Sequence, residues 1–398
     1  MRIIIIANFT LQLNGERVGR FIDIAEMFSE RGHDVELITT DFYHDTKSPR
    51  PTPYYDSYKT KITLCHEPGY ERNVSVRRML SHFVWGRNVL RYLRNVEKPD
   101  LIYCAVPSLT AAKLAAKYCR RNGVKYVTDV QDLWPEAFCM SIHNKLIQKM
   151  FLPMQQYANY IYSSADLAVA VSETYVKRTL KVNRKNVEGL SVYLGNNGAL
   201  FESAIGKYKV GRTDNEILLC YVGGLKDSYD IPCVIDALAL IKTKKQLLHE
   251  IRLILIGDGP FRARFEQYAK EKKVLCTFLG NRPYIEMASL LSSCDICINP
   301  IVKGSAASII NKVGDYAFAG LPVINTQECA EYRALIDEYQ CGINCDCGCT
   351  EQVADALLLL AGNSSIRLEM GINSRRLARD KFDRRITYLR IIEAIENL

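Results

Sequence analysis

Short apolar runs alternate along this chain with stretches in which apolar residues recur every three or four positions, and the alternation occurs twice. In the first half, runs at residues 3–7, 35–39, 101–105, 126–130 and 167–171 read as strands. Helical patterns at 19–31, from Ser108 and after His143 fall between them. The second half repeats the scheme, with runs at 217–222, 253–256, 277–279 and 296–299 and helical patterns from Ile231 and Arg262. Strands that are apolar throughout and alternate with helices predict parallel sheets covered on both faces. The expected fold class is therefore α/β, two Rossmann-like doubly wound domains facing a cleft, with ligand sites at the C-terminal strand ends. Residues 201–215 are polar and without apolar period, and read as the linker. Residues 41–74 look irregular and rich in Pro and Tyr, as long binding loops often are.

The segment 295–326 carries the most chemistry. An apolar run ending at Asn299-Pro300 meets a small-residue loop with Ser305 and Ser308. A helical pattern with Asn311, Lys312 and Asp315 follows, and Gly320-Leu321-Pro322 stops it. Strand, loop, helix start, lysine and a carboxylate one turn on is an arrangement that holds a phosphorylated ligand. The N–H groups and the positive helix end meet the phosphate, and the carboxylate accepts from ribose hydroxyls. Three further loops follow strands of the same half: Gly223-Gly224 with Lys226, Gly257-Asp258-Gly259-Pro260, and Phe278-Leu279-Gly280 with Arg282. Glycines there let backbone approach a ligand closely, although two glycines also make an ordinary tight turn.

In the first half, Asp132 in Asp132-Leu133-Trp134-Pro135-Glu136 leaves a strand end, where it can orient an acceptor hydroxyl or take its proton. Asn8 and Gly19-Arg20 flank the loop after the first strand and are candidate acceptor contacts. The alternatives are a loop carboxylate that caps a helix and a glycine that starts one.

Composition narrows the picture. At 398 residues with 48% hydrophobic and 24% charged residues, the chain matches a soluble two-domain protein, and no apolar run reaches the roughly 18 residues of a membrane span. The N-terminal run reads as a buried strand, which predicts a cytosolic protein. The net charge of +8 is uneven: residues 1–200 hold 27 Lys+Arg against 19 Asp+Glu, whereas the remainder holds 25 of each. An anionic partner for the first half follows, a pyrophosphate or the inner face of the plasma membrane; a solvated basic face is the bland reading. Arg72, Arg77, Arg78, Arg87, Arg91 and Arg94 interleave with Met79, Leu80, Phe83, Trp85 and Leu93, which suits a helix at a membrane surface or a core helix with a basic outer face. Cys341, Cys345, Cys347 and Cys349 invite a zinc reading but lack paired CxxC units and a nearby His, so a Cys-rich strand and turn is the stronger one. There is no Asp-x-Asp triplet to hold a diphosphate through a metal, which leaves lysine and helix dipoles to neutralise it.

Taken together, Arg31-Gly32-His33-Asp34-Val35, Asn197-Gly198, Tyr221-Val222-Gly223-Gly224-Leu225, Gly257-Asp258-Gly259-Pro260, Phe278-Leu279-Gly280 and the segment from Asp315 to Ile324 resemble the GT-B glycosyltransferases of the large retaining group called family 4. The Asp132–Glu136 stretch and the Asn311-Lys312…Asp315 form are similar to the branch that builds bacterial capsule, O-antigen or exopolysaccharide on lipid carriers. The resemblance implies acceptor binding in residues 1–200 and nucleotide-sugar binding in 201–380, with 381–398 a C-terminal helix that packs back on the first domain. It also implies a nucleoside-diphosphate sugar as donor, with UDP as the nucleotide, no metal, and a lipid-linked or saccharide acceptor. By position, Asp315 falls on the family's ribose-binding Glu, Gly223 and Gly224 on its phosphate loop, and Arg282 near the base. The chain departs from the pattern at Ala307, where the family has its first Glu, at Gly224 and Tyr229, where it has Arg and Lys, and at Gln131, where a His is frequent. A non-catalytic partner of the same fold and a nucleotide-sugar epimerase are the rival readings.

Overall fold

The computed structural model describes residues 1–15, 19–136, 152–244, 249–305 and 308–398. They form two compact units, Met1–Tyr193 with Thr387–Leu398, and Leu194–Ile386. The division thus falls a few residues before the expected boundary at 200, and the last twelve residues belong with the first unit.

The strands of the first unit are β1 (Arg2–Ile6), β2 (Asp34–Thr40), β3 (Phe42–Tyr43), β4 (Ser48–Pro49), β5 (Lys61–Cys65), β6 (Leu101–Val106), β7 (Lys125–Val130), β8 (Leu167–Ala170) and β9 (Gly189–Ser191). Among the described residues, seven of them make one parallel sheet in the order β5-β2-β1-β6-β7-β8-β9. Its inner strands are apolar on both faces because helices cover both; Ile3 to Ile6 are fully buried. The expected irregular segment 41–74 is corrected here. It contains the β3–β4 hairpin and the edge strand β5, paired in register Glu36↔Lys61. Its short, half-polar sequence gave no strand pattern, because an edge strand needs only part of one face apolar.

Arg20 opens the helix Arg20–Glu30 and is buried at its N-terminus. Its Nε donates to Asp129 Oδ2 at 2.7 Å, and Nη1 donates to the carbonyls of Val192 and Tyr193. Tyr103 Oη adds a 2.6 Å bond to the same Asp129 oxygen, and Gln131 donates to the other. The guanidinium also lies 4.9 Å from the ring centre of Tyr388, which comes from the returning C-terminal segment. That segment packs Tyr388, Ile391, Ile392 and Ile395 into the first unit's core beside Phe21 and Phe28. One buried ion pair therefore ties helix, sheet and C-terminus together.

The second unit contains β10 (Glu216–Val222), β11 (Glu250–Ile256), β12 (Cys276–Gly280), β13 (Ile296–Asn299), β14 (Val323–Asn325) and β15 (Gly342–Asn344), parallel in the order β12-β11-β10-β13-β14-β15. The linker expectation for 201–215 is revised at its start. Asn197 caps a short helix, Gly198–Ala204, and Phe201 is fully buried 5.7 Å from the ring of Phe318. A single aromatic is too little to register as apolar period in the sequence.

The helix Lys312–Ala319 is anchored to this sheet by Tyr316. Its hydroxyl accepts from the Val222 amide at 3.0 Å and donates to the Ile298 carbonyl at 3.1 Å, so it is pinned to β10 and β13 together. Gly320, with φ 69°, ends the helix in the left-handed conformation that glycine adopts without a Cβ clash. Asp315 is buried on this helix, where Oδ1 accepts from Tyr284 Oη at 2.9 Å and from Asn196 Nδ2. Burial raises its pKa to about 7, although these two bonds and Arg384 oppose the rise.

Two stability measurements check this account. Asp129→Ala leaves Arg20, Tyr103 and Gln131 without their shared acceptor, and urea denaturation should show a loss of about 3–5 kcal/mol, as for other buried pairs broken on one side. For Asp315 the folded carboxyl holds its proton more tightly than the unfolded one, whose pKa is about 3.9. Its contribution is therefore fully present below about pH 4 and is lost as pH rises to about 7. Asp315→Asn keeps the Oδ1 acceptor and should flatten the decline between those limits; an unchanged pH profile contradicts the assignment.

Candidate functional site

In the second sheet the connections leave in opposite directions on either side of β10 and β13. Open α/β sheets bind ligands at such a switch point, beyond the C-terminal ends of the strands. Two groups predicted from the sequence meet there: the turn after β10 at Gly223, and Lys312, which opens the helix after β13.

The turn is built by close backbone contact. Gly223 N–H donates to the Ile256 carbonyl and Gly257 N–H to the Gly280 carbonyl, both at 2.9 Å. Gly223 has φ 142° and Gly257 φ 134°, in the region that favours glycine. A Cβ on Gly257 would collide with the Gly223 carbonyl oxygen, so Gly257 packs backbone against backbone. Its role is thus to seat the Gly223 turn. A Cβ on Gly223 would lie 3.0 Å from Lys312 Nζ.

Lys312 is only 9% exposed. Its Nζ stands 4.0 Å from the ring centre of Tyr221 and 3.8 Å from that of Tyr229. It has no hydrogen-bond partner among the described residues, and burial pulls its pKa well below the usual lysine value. Two electron-rich ring faces partly compensate a desolvated ammonium, but burying a cation without an anion remains expensive. Tyr229 is also where the resemblance places a basic residue. Lys312 approaches the same turn from another element, which sequence alignment by position does not reveal.

The other donor-side candidates divide. Gly224 carries the carbonyl that accepts from Tyr221 Oη at 2.8 Å, and Lys226 is exposed beside it. Asp258 accepts from the Gly259 amide at 2.7 Å and pairs with Arg262 at 3.3 Å, so it steadies the start of the next helix. Arg282 is exposed, donating to the Leu279 carbonyl and pairing with Glu286 at 3.0 Å. Asn311 is exposed and makes no side-chain cap on its helix. Ser305 is exposed in a turn, while the Ser308 carbonyl accepts from Gln327 Nε2 at 2.7 Å. Ala307 lies outside the described residues.

A polar ladder behind this loop was not anticipated. Asn299, Asn325 and Asn344 stand in register on β13, β14 and β15. Asn299 Nδ2 donates to Asn325 Oδ1 at 2.9 Å, and Asn325 Nδ2 donates to Asn344 Oδ1 at 3.0 Å. Its sequence signal is an asparagine at the end of each apolar run. Asn196 and Tyr284, the partners of Asp315, left no local signal because both are remote in the chain.

In the first unit, Asp132 follows β7 and accepts from Trp134 Nε1 at 3.0 Å, with its pKa raised by burial. Asn8 is buried and donates to Glu67 Oε2 at 2.8 Å. Gly19 caps the helix Arg20–Glu30 with φ −107°, and a Cβ there would meet only ordinary contacts, so no close approach requires glycine. The expectation that Arg20 contacts an acceptor is corrected: its guanidinium is committed to Asp129 and two backbone carbonyls. Among the described residues no three His, Cys, Asp or Glu side chains converge as metal ligands. Of the cysteine cluster, Cys341 and Cys345 are buried, and Cys347 Sγ donates to the Ile301 carbonyl at 3.1 Å.

Comparison with known proteins bears on the family and the fold. Residues 20–188 match the model of Glycosyltransferase Family 4, and residues 216–363 match Glycosyl transferases group 1. No curated protein sequence matches. Among solved structures, HepE from Anabaena in complex with UDP is similar at 16% identity and TM-score 0.70, covering 100% of both chains. Sucrose-phosphate synthase from Thermosynechococcus elongatus is similar at 16% identity and TM-score 0.72, covering 100% of this chain and 98% of that one. WaaG, a glycosyltransferase involved in lipopolysaccharide biosynthesis, is similar at 18% identity and TM-score 0.65, with 98% of each chain covered. With family models matched in both units and the fold shared along the full length, the chain belongs to the GT-B glycosyltransferases.

Proposed function

We propose that this glycosyltransferase moves a sugar from a nucleoside-diphosphate sugar, with UDP as the nucleotide, to a hydroxyl of a lipid-linked or saccharide acceptor during synthesis of a bacterial surface polysaccharide. The observation that carries the reading is Lys312: a buried amino group with no hydrogen-bond partner among the described residues, facing the Gly223 turn at the switch point of the second sheet. A diphosphate supplies the missing negative charge. Complexes of HepE with UDP and with UDP-glucose, and the role of WaaG in lipopolysaccharide biosynthesis, support the donor and the pathway class.

Transfer proceeds with retention. The acceptor oxygen bonds to the anomeric carbon on the face the diphosphate leaves, the bond from that carbon to the phosphate oxygen breaks, and the hydroxyl proton passes to the departing phosphate. Charge accumulates on the diphosphate, where Lys312 and the N-terminus of the helix Lys312–Ala319 stabilise it without a metal. Asp315 accepts from the ribose, Ser305 and Ser308 lie toward the sugar, and Asp132 orients the acceptor hydroxyl. The basic surplus of residues 1–200 suits an anionic lipid carrier or the membrane that holds it.

Thermal-shift screening of UDP, GDP and ADP with their sugars identifies the donor, and nucleotide release with a lipid extract then reads turnover. Lys312→Ala should lower the transfer rate about 10²–10³-fold, the usual loss when one preorganised charge-stabilising group is removed. Unaltered transfer by Lys312→Ala with a donor that binds the parent protein rejects the assignment.

A further inference from the structure

The first unit holds a second constellation that the donor chemistry does not use. On the helix Val76–Asn95, one face is core: Ser81, Trp85, Val89 and Leu93 are buried. The next face is apolar and open, with Met79 59%, Leu80 60% and Phe83 48% exposed. This helix, the helix Leu109–Asn122 and the helix Leu152–Ser164 border a cavity of about 260 Å³. Its lining is mostly apolar, including Met79, Pro107, Leu109, Trp134, Met154 and Tyr157. Pro107 follows β6, which with β1 flanks the switch point of the first sheet, the ligand position of such folds.

Two polar groups adjoin this apolar slot. His82 lines it, is 5% exposed, and its Nε2 has no hydrogen-bond partner among the described residues. The Arg78 guanidinium lies 4.7 Å from the ring centre of Trp134 and 5.4 Å from those of Phe9 and Tyr70. Arg78 Nη1 donates to the Asn73 carbonyl and the guanidinium also hydrogen-bonds Tyr70, while its buried Nε has no partner and no carboxylate pairs with it directly among the described residues. Glu67 accepts from Asn8 and Ser81 and lies 3.9 Å from His82 Nε2, and Asp132 accepts from Trp134; both carboxylates favour the charged Arg78 without a direct pair to it. Burial, Arg78 and His44 hold His82 neutral, with a pKa near 3. Exposed Arg77, Arg87 and Arg91 add positive charge along the same helix.

An arginine in an aromatic box beside an apolar slot matches one kind of ligand, an anion joined to a hydrocarbon chain. We propose that Arg78, His82 and this cavity form a binding site for a single-chain lipid phosphate, with the phosphate on Arg78 and the start of the chain in the slot. The proposal rests on the reading of a lipid-linked acceptor and deepens it, because it assigns this chain's own residues to the lipid phosphate. Arginine in an aromatic box keeps its donors pre-aimed and weakly hydrated, which favours phosphate over water. The slot adds apolar burial at roughly 0.8 kcal/mol per CH₂.

Decyl phosphate, used below its micelle-forming concentration and titrated against the full chain without donor, tests the site. Trp134 lines the slot and reports occupancy by fluorescence, and Trp134→Phe removes the signal. Saturable binding of one molecule per chain is expected, with Arg78→Met and Met154→Asp each weakening it about tenfold or more. Inorganic phosphate and decanol, which each lack one half of the ligand, should bind at least about tenfold more weakly. Equal binding of decyltrimethylammonium, or affinity unchanged in Arg78→Met, overturns the proposal, as does binding only to phosphatidylglycerol vesicles. A variant that fails to fold leaves the ranking of the four probes on the parent protein as the deciding result. Donor binding by thermal shift is read separately, so failure at the lipid site and failure of the transferase reading remain distinguishable.

Discussion

The amino group of Lys312 sets the terms for the second unit. It is held out of water between Tyr221 and Tyr229 with no hydrogen-bond partner among the described residues, so its charged form is costly until an anion arrives. Tyr316, on the same helix, bonds to both central strands, so the helix that carries the lysine is fixed to the sheet. Gly257 and Gly223 allow two backbone turns to touch, which brings the β10 turn under Nζ. A charge poised in this way is worth more to a diphosphate than a solvated lysine, because little reorganisation is needed when the ligand arrives.

The first unit solves the opposite problem. Its buried Arg20 is paired, with Asp129, two carbonyls and the Tyr388 ring engaging its donors and one face. Such a group holds structure and is unavailable to a ligand. Arg78, in contrast, faces three aromatic rings and has no directly pairing carboxylate among the described residues. The contrast between the two arginines separates framework from binding potential, and residue type alone does not make it. Both look like basic residues in or near helical patterns.

Departures from the family pattern acquire a physical meaning once the elements are placed. Gly224 and Tyr229 occupy positions where basic residues are expected, yet positive charge still reaches the turn, supplied by the neighbouring crossover. In the proposed phosphate site the basic group is kept and its source changes. Asp315, expected to face a ribose, is shorter than the family's Glu and is held by Tyr284 and Asn196; its burial raises its affinity for a proton, and those two bonds oppose the rise.

Much of the fold was legible in the linear order. Apolar runs such as 3–7 and 217–222 became central strands because a parallel sheet buried on both faces demands continuous apolar residues. Gly320 and Pro322 marked a helix end by backbone geometry, Lys312 and Asp315 could be named from spacing on one strand–loop–helix unit, and Gly223 from the glycine pair after another strand. The edge strand β5, the buried helix at Phe201 and the commitment of Arg20 escaped, since each depends on partners distant in the chain. The same holds for the aromatic box around Lys312 and for the slot beside His82. Local pattern determines which elements form and which residues are chemically able to act. Burial and neighbour identity, which decide whether a charge is spent on the framework or left for a ligand, exist only after strands far apart in sequence lie side by side.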